Sequence, residues 1–297
     1  MRIPPKNRII LFAFSLLFNA YTFAQNSPYV DPVAHWIGKE IIFLPIDTSE
    51  FNEPYEGWSI SKFQTIRPLP SDVYLKKGVI VDVQKDDAFD PYFVTVELVD
   101  SDNILYGLSY DGHLKDVGFT EEYETASKFV GAILWNERST FYSYDSVLNV
   151  RKHQVVSNLE PLYLWKIEWS SDSGRPIQII LFETGRRKIF YDLNFSGLNA
   201  SPNSKPVYIE DLFHKVNPRV TYPDWNDKLW EKIESETISK KMSREAVILS
   251  WGDPIKAESK RIDDDLIETW SYDRIPFVTV TFKNGVLSRW EKAGTND

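Results

Sequence analysis

The chain has 297 residues and a formal net charge of −9, and it contains no cysteine. The lack of cysteine excludes disulfides, thiolate metal sites and the lipid-modified cysteine that anchors bacterial lipoproteins. Because an acidic surface repels nucleic acid and anionic lipid, we expect neither of these as a partner.

The first 24 residues have the order of charges and apolar residues that is typical of a secretory signal peptide. Arg2, Lys6 and Arg8 precede the apolar stretch Ile9–Phe18, and the small residue Ala24 stands where a peptidase would cut. The apolar stretch is about half as long as a membrane-spanning helix. We therefore predict a mature chain without a membrane anchor that is periplasmic or secreted after cleavage near Ala24. Losing three cations and no acid would take the formal charge from −9 to −12.

Residues 25–125 are predicted to form a small antiparallel β-barrel-like domain. Short runs of β-branched and aromatic residues are separated by turn residues, which is the pattern of strands. The runs are Glu40–Pro45, Gly78–Val83, Phe93–Val99 and Ile104–Tyr110.

Residues 126–200 are predicted to form a second β-rich domain that repeats the outline of the first. Trp36–Pro45 is echoed by Phe129–Glu137, and Tyr92–Tyr110 is echoed by Tyr163–Phe182. The two halves weakly resemble tandem bacterial SH3-like β-barrels. Because their spacing is unequal, internal duplication and convergent patterning both stay open.

Residues 201–222, rich in Ser, Asn and Pro, are predicted to be a linker to an α+β domain at residues 223–297. The periodicity of this last domain predicts two helices, one starting after Asp224 and one capped by Ser243. Four strands follow. The last two are joined at Asn284–Gly285, because both residues tolerate positive φ. Trp251, Trp270 and Trp290 are predicted to lie in the core.

Lys241–Glu291 resembles the small envelope domain of the SmpA/OmlA or BamE-like kind. The likeness lies in the capped short helix and in three motifs at Trp251–Pro254, Trp270–Tyr272 and Phe282–Gly285. The resemblance implies two helices packed on an antiparallel sheet and a binding or assembly role in the bacterial envelope. It carries over no ligand contacts, because the shared residues are structural ones.

No pattern of catalytic or metal-binding residues stands out. The four histidines are scattered, and neither a Gly-x-Ser-x-Gly elbow nor a phosphate-binding glycine loop occurs. Two acidic clusters, Asp86–Asp90 and Asp263–Asp265, have the chemistry to bind Ca²⁺, but turns favour aspartate for its own sake. We therefore predict no catalytic residue, no metal site and no cofactor.

Aromatic residues in two predicted loops are the candidate ligand-binding residues, since exposed rings stack on sugars and anchor protein partners. Packing of these rings in the core is the alternative interpretation. The two sets are Tyr55, Trp58 and Phe63, and Phe141, Tyr142 and Tyr144.

Taken together, the sequence predicts a multi-domain, mainly β protein that is exported and acts as a non-enzymatic binding or scaffold protein of the bacterial cell envelope through protein-protein contacts. One alternative is a carbohydrate or cell-wall binding protein that uses the loop aromatics. Another is an envelope hydrolase with paired carboxylates. The expected partner is an envelope protein or a glycan.

Overall fold

A computed structural model describes residues 33, 35–46, 55, 57–62, 66–85, 91–137, 140–145, 150–172, 174–185, 187–193 and 208–292. These residues form a mainly β protein with three antiparallel sheets, one of them a half-barrel, and a few short helices. The predicted signal peptide and the cluster Asp86–Asp90 lie outside the described residues. Within these ranges, none of the helices has the length and apolar content needed to cross a bilayer.

The first sheet has the strand order β2-β5-β4-β3-β1-β6. Its core lies on the face where alternate residues of the strands are buried, such as Val94 and Val96, together with Trp36, Phe43 and Phe119. Helix α1, Pro70–Val73, precedes β3, and helix α2, Thr120–Ser127, follows β6. The strands are β1 Glu40–Phe43, β2 Trp58–Ser59, β3 Lys77–Lys85, β4 Tyr92–Leu98, β5 Ile104–Ser109 and β6 Val117–Phe119.

The second sheet has the order β13-β7-β10-β11-β12-β8-β9. Helix α3, Ile209–Leu212, and strand β13 lie within residues 201–222, which were predicted to be a linker. Strand β13 pairs with β7, and its Phe213 is buried. Two residues are too few to show a strand period, so the sequence pattern does not predict this strand. The strands are β7 Ile133–Asn136, β8 Thr140–Asp145, β9 Val150–Val155, β10 Pro161–Trp169, β11 Ile177–Glu183, β12 Lys188–Leu193 and β13 Phe213–His214.

The first and second sheets share one strand order once the edge strand β9 is set aside. Strand β1 lies between β3 and β6, and β7 lies between β10 and β13. Strands β3-β4-β5 then correspond to β10-β11-β12, and β2 corresponds to β8. The bulges correspond as well. The extra residue is Val81 in β3 and Trp165 in β10, and each follows the segment that pairs with β1 or β7 by the same number of residues.

The predicted echo between the two halves is correct for β1 and β7 but displaced by one strand further on. Tyr92–Tyr110 spans β4 and β5, whereas Tyr163–Phe182 spans β10 and β11, which correspond to β3 and β4. The reason is that neighbouring antiparallel strands have the same period and the same kind of polar turn. A pattern match therefore shifts by one strand without losing agreement.

The third sheet is the meander β14-β15-β16-β17, preceded by helices α4 to α6. Ser243 caps α6 as predicted, whereas α5 is capped by Asn226 and not by Asp224. Trp270 is buried, as predicted. Trp290 is 37% exposed and not in the core, because β17 is an edge strand with a neighbouring strand on only one side. The elements are α4 Pro218–Thr221, α5 Asp227–Glu234, α6 Arg244–Trp251, β14 Lys256–Ile262, β15 Asp265–Tyr272, β16 Val278–Lys283 and β17 Val286–Lys292.

The loop between β9 and β10 joins the second sheet to these helices. The side-chain amide of Asn158 donates to the carbonyl of Ile233 at 3.0 Å and to that of Leu249 at 2.7 Å. Both carbonyls belong to the last turn of a helix, α5 and α6 respectively, where intrahelical partners run out. Leu159 is buried with Trp230 in the core of the third sheet. One loop therefore caps two helices and contributes to their core.

Candidate binding site

Tyr55 and Trp58, from the first predicted set, are buried in the core of the first sheet. The Tyr55 hydroxyl donates to the Leu44 carbonyl at 2.6 Å, and burial raises its pKa. The Trp58 ring meets Phe43 edge-on at 4.9 Å, and its Nε1 donates to the Lys115 carbonyl at 2.8 Å. Both rings therefore fill a core, as the alternative interpretation holds, and neither is presented on a loop. Phe63 lies outside the described residues.

The second predicted set lies on strand β8 and not on a loop, so its side chains alternate between two faces. Phe141 is buried and packs 5.7 Å from the Tyr191 ring and 6.1 Å from the Phe213 ring. Tyr142 and Tyr144 lie on the opposite, outer face. Two rings of this set are thus available on the surface.

The outer face of the second sheet carries a row of five rings, the aromatic strip, made of Tyr142, Tyr144, Phe190, Trp165 and Phe182. Tyr142 stacks on Phe190 with ring centroids 5.7 Å apart, and Tyr144 meets Phe190 edge-on at 5.0 Å. Trp165 meets Phe182 edge-on at 5.6 Å. Trp165 and Tyr144 are 46% and 43% exposed. The strip therefore spans four neighbouring strands and exposes Trp165 and Tyr144, whereas Phe190 is buried.

Two cations interleave with these rings. The Arg151 guanidinium lies 4.5 Å from the Tyr142 ring and 5.9 Å from the Tyr144 ring. Lys188 Nζ lies 4.7 Å from the Phe190 ring and 5.5 Å from the Trp165 ring. Cations over ring faces are attracted by the π electrons, which keeps both groups ordered. Lys188 also bridges the two groups of rings in the strip.

Asp192 holds one end of the strip in place. Its side chain is only 2% exposed and accepts hydrogen bonds from the Tyr142 hydroxyl at 2.6 Å, Arg151 Nη1 at 2.7 Å and Gln178 Nε2 at 3.1 Å. Burial, and then the hydrogen bond to Asp192, raise the pKa of the Tyr142 hydroxyl, so this group stays a donor. Because three donors engage the carboxylate, it orients Tyr142 and Arg151 instead of serving as a base.

Beside Tyr142 the sheet borders a groove of about 540 Å³, a size typical of ligand sites. Its polar groups include two guanidinium groups, an imidazole and two phenol hydroxyls. The residues that line it are Glu137, Thr140, Phe141, Tyr142, Arg151, His153, Arg175, Tyr191, Asp192 and Leu212.

The pair formed by His214 and Glu137, of which only Glu137 lines this groove, does not have the geometry of an acid-base pair. His214 Nε2 lies 3.7 Å from Glu137 Oε2, which is longer than a hydrogen bond. Burial lowers the pKa of His214 despite this carboxylate, so the imidazole is neutral at pH 7. Among the described residues, no group of three or more His, Asp or Glu side chains is placed to hold a metal ion.

Sequence reasoning missed Trp165, Phe182, Phe190, Arg151 and Lys188. One signal for them was present, because Leu162 and Leu164 alternate with Tyr163 and Trp165 in the sequence. This alternation places apolar residues on the core face and rings on the outer face of one strand.

Comparison with known proteins gave no match to any family model, curated protein or solved structure.

Proposed function

We propose that the protein is an exported, non-enzymatic binding or scaffold protein of the bacterial cell envelope and that the aromatic strip contacts its partner protein. The observation that carries this proposal is the exposure of Trp165 and Tyr144 in a row of rings interleaved with Arg151 and Lys188. Trp, Tyr and Arg are the residues that contribute most to protein interfaces. Export rests on the predicted signal peptide, and cleavage near Ala24 leaves the protein periplasmic or secreted.

The order of the strip supports a role in binding. Tyr142 is held by Asp192, and Tyr144 and Trp165 are held by neighbouring rings and cations. Side chains that are already fixed lose little conformational entropy when a partner binds. A rigid sheet also places the rings more precisely than a loop would.

The proposed domain organisation is two small antiparallel β-barrel-like units followed by an α+β module. The shared strand order and bulge position of the first two sheets support an internal duplication. The BamE-like resemblance implies two helices packed on an antiparallel sheet for this module, and helices α5 and α6 beside the meander β14-β15-β16-β17 support it. An assembly role for that module agrees with the proposed scaffold function.

A glycan partner is the second candidate. It is favoured by the exposed face of Trp165 on a sheet and by the phenol and guanidinium groups at the neighbouring groove, since sugars stack on rings and bond to such groups. In this case too the protein acts as a binder and not as an enzyme.

The test compares partner capture by the wild-type protein with capture by Trp165→Ala and Tyr144→Ala variants. Each variant should weaken binding of an envelope protein about tenfold or more, because rings at interface centres are worth about 2 kcal/mol. Tyr110→Ala is the matched control, since Tyr110 is 71% exposed and lies outside the strip. Proteins captured from an envelope extract are identified by mass spectrometry, and their affinity is measured with purified components.

A glycan array with the same variants separates the two candidates. Strip-dependent binding of a glycan, with no strip-dependent protein partner, would replace the protein-binding proposal by the glycan one. Capture of the same proteins by wild type and strip variants would contradict a role for the strip. Release of a cleaved product from any bound glycan would contradict the non-enzymatic proposal.

A further inference from the structure

The groove beside the aromatic strip has a counterpart on the first sheet. The two bulges align the sheets with each other. The residue opposite the first position after the bulge pairs in turn with Tyr106 in the first sheet and with Phe190 in the second. Tyr106 therefore occupies the position of Phe190. Ser59 pairs with Tyr106, and Tyr142 pairs with Phe190. Ser59 therefore occupies the position of Tyr142.

A groove of about 290 Å³ lies at this position, the first-sheet groove. Four of its residues, Trp58, Ser59, Gly107 and Leu108, stand at the positions of Phe141, Tyr142, Tyr191 and Asp192 in the second sheet. All four of those line the larger groove. The residues that line the first-sheet groove are Gly57, Trp58, Ser59, Ser61, Lys62, Arg67, Phe93, Tyr106, Gly107 and Leu108.

The floor of the first-sheet groove is apolar and closely built. A Cβ atom at Gly107 would lie 2.8 Å from the Trp58 ring, so only glycine lets this ring lie against the strand. The Trp58 ring lies on the core side of Gly107, and Phe93, Tyr106 and Leu108 form the apolar floor on the outer face of the sheet. Polar groups of the floor are already used, since Ser59 Oγ donates to the Ser61 carbonyl at 2.8 Å and Trp58 Nε1 donates to the Lys115 carbonyl.

The rim of this groove is basic in an acidic protein. Lys62 and Arg67 are exposed, and neither forms an ion pair with another described residue. The described residues that line the groove include no Asp or Glu, although the whole chain has a net charge of −9. An occupant with carboxylates at its edges and apolar or aromatic groups at its centre would match both the rim and the floor.

We propose that the first-sheet groove is a second binding site and that it takes an extended acidic peptide segment that also carries aromatic side chains. The proposal rests on the proposed function, since it names the chemistry of a second contact with a partner protein. A peptide fits better than an acidic glycan, because the floor has few unused polar groups to bond to sugar hydroxyls. Aromatic side chains gain from the apolar floor, and carboxylates gain from Lys62 and Arg67.

The test uses the full mature chain and three polymers: a random copolymer of glutamate and tyrosine, polyglutamate and polygalacturonate. We expect the copolymer to bind more tightly than either of the other two. The double variant Lys62→Gln, Arg67→Gln should weaken its binding about fivefold or more, and added salt should weaken the wild type in the same way. Lys128→Gln, Arg261→Gln is the matched control, since both residues are exposed and outside the groove.

A second variant tests the floor. Phe93→Ala should reduce binding of the copolymer to the level of polyglutamate, while the melting temperature shows whether the sheet is intact. Preference for polygalacturonate would overturn the peptide assignment in favour of an acidic glycan. Absence of binding, or equal binding by the groove and control variants, would overturn the site.

The strip variant Trp165→Ala separates this inference from the proposed function. Copolymer binding that survives in Trp165→Ala but falls in the Lys62, Arg67 variant supports the first-sheet groove by itself. Copolymer binding that falls only in Trp165→Ala overturns the groove and leaves the strip as the binding surface. Partner capture that depends on the strip is measured in the envelope experiment, so that experiment decides the proposed function separately.

Discussion

The backbone conformation of some residues in this protein follows from their local sequence. The predicted turn at Asn284–Gly285 is confirmed, since φ is 53° at Asn284 and 81° at Gly285. Asn284 also holds its neighbours, because its Oδ1 accepts from the Leu266 N–H at 2.8 Å. His214 is the contrasting case, because its pKa depends on burial by elements that are distant in sequence.

Gly285→Val should destabilise the protein. A β-branched side chain in the left-handed region costs about 1 to 2 kcal/mol. A Cβ at this position would also lie 3.2 Å from Nη1 of Arg244, whose Nη2 pairs with Glu268. Thermal denaturation of the full chain should show a melting temperature lower by about 2 to 4 °C. Lys283→Ala, which loses only an exposed ion pair with Asp265, should change it little. Equal melting of both variants would mean that the turn does not need glycine.

Stability should fall below pH 6.5 partly because of His214. Its folded-state pKa lies below the ordinary value of 6.5, so between the two values the unfolded chain binds more protons than the folded one. The stabilisation is therefore present above pH 6.5 and is lost as the pH falls toward the folded-state pKa. We expect the wild type to lose stability relative to His214→Gln as the pH falls from 7.5 to 5.5 in urea denaturation.

The exposed residue His153 provides the control for this measurement. His153→Gln should follow the wild type at every pH, because replacing an exposed side chain changes stability little. A constant difference between the wild type and His214→Gln across this range would contradict the burial argument.

At the scale of elements, the sequence predicts strands and caps well where a period or a cap residue is visible. Strands β3, β4 and β5 and the cap at Ser243 follow from alternation and hydroxyl capping. Strand β8 is predicted as a loop from the sequence, because the aromatic residues of Phe141–Tyr144 lie on both faces of the strand and hide its period of two. The burial of Trp58 follows from a strand pair distant in sequence, with Gly107 opposite, which no local pattern reveals.

Asn158 should be required for the stability of helices α5 and α6. Asn158→Asp keeps the size of the side chain but removes both N–H donors and places a carboxylate near two carbonyls. We expect the free energy of unfolding to fall by about 2 to 3 kcal/mol in chemical denaturation. Asn103→Asp, at an exposed turn, is the matched control and should change it by less than about 0.5 kcal/mol. A loss of similar size in both variants would exclude a capping role.

At the scale of the whole molecule, contacts between sheets are made by residues that no pattern within one sheet singles out. A Cβ at Gly118 of the first sheet would lie 2.4 Å from the Trp169 ring of the second, so the two sheets meet closely there. Trp169 also stacks on Tyr123 of α2 at 4.9 Å. The loop that carries Asn158 and Leu159 makes the corresponding contact with the C-terminal helices. The candidate binding surfaces lie on the outer faces, away from these contacts.

Residues Pro223–Asp297 should fold by themselves, but less stably than in the full chain. Their own core contains Trp230, Val280 and Phe282, which is enough for a cooperative thermal transition. The fragment lacks Leu159, and truncating a buried leucine costs about 2 to 5 kcal/mol. We therefore expect low protection of α6 amides in hydrogen exchange of the fragment, and similarly reduced protection in full-length Leu159→Ala. Val150→Ala, at an exposed position of β9, should leave α6 as protected as in the wild type. A disordered fragment would show that the loop is part of an indivisible core, and a fragment as protected as the full chain would show that Leu159 contributes little.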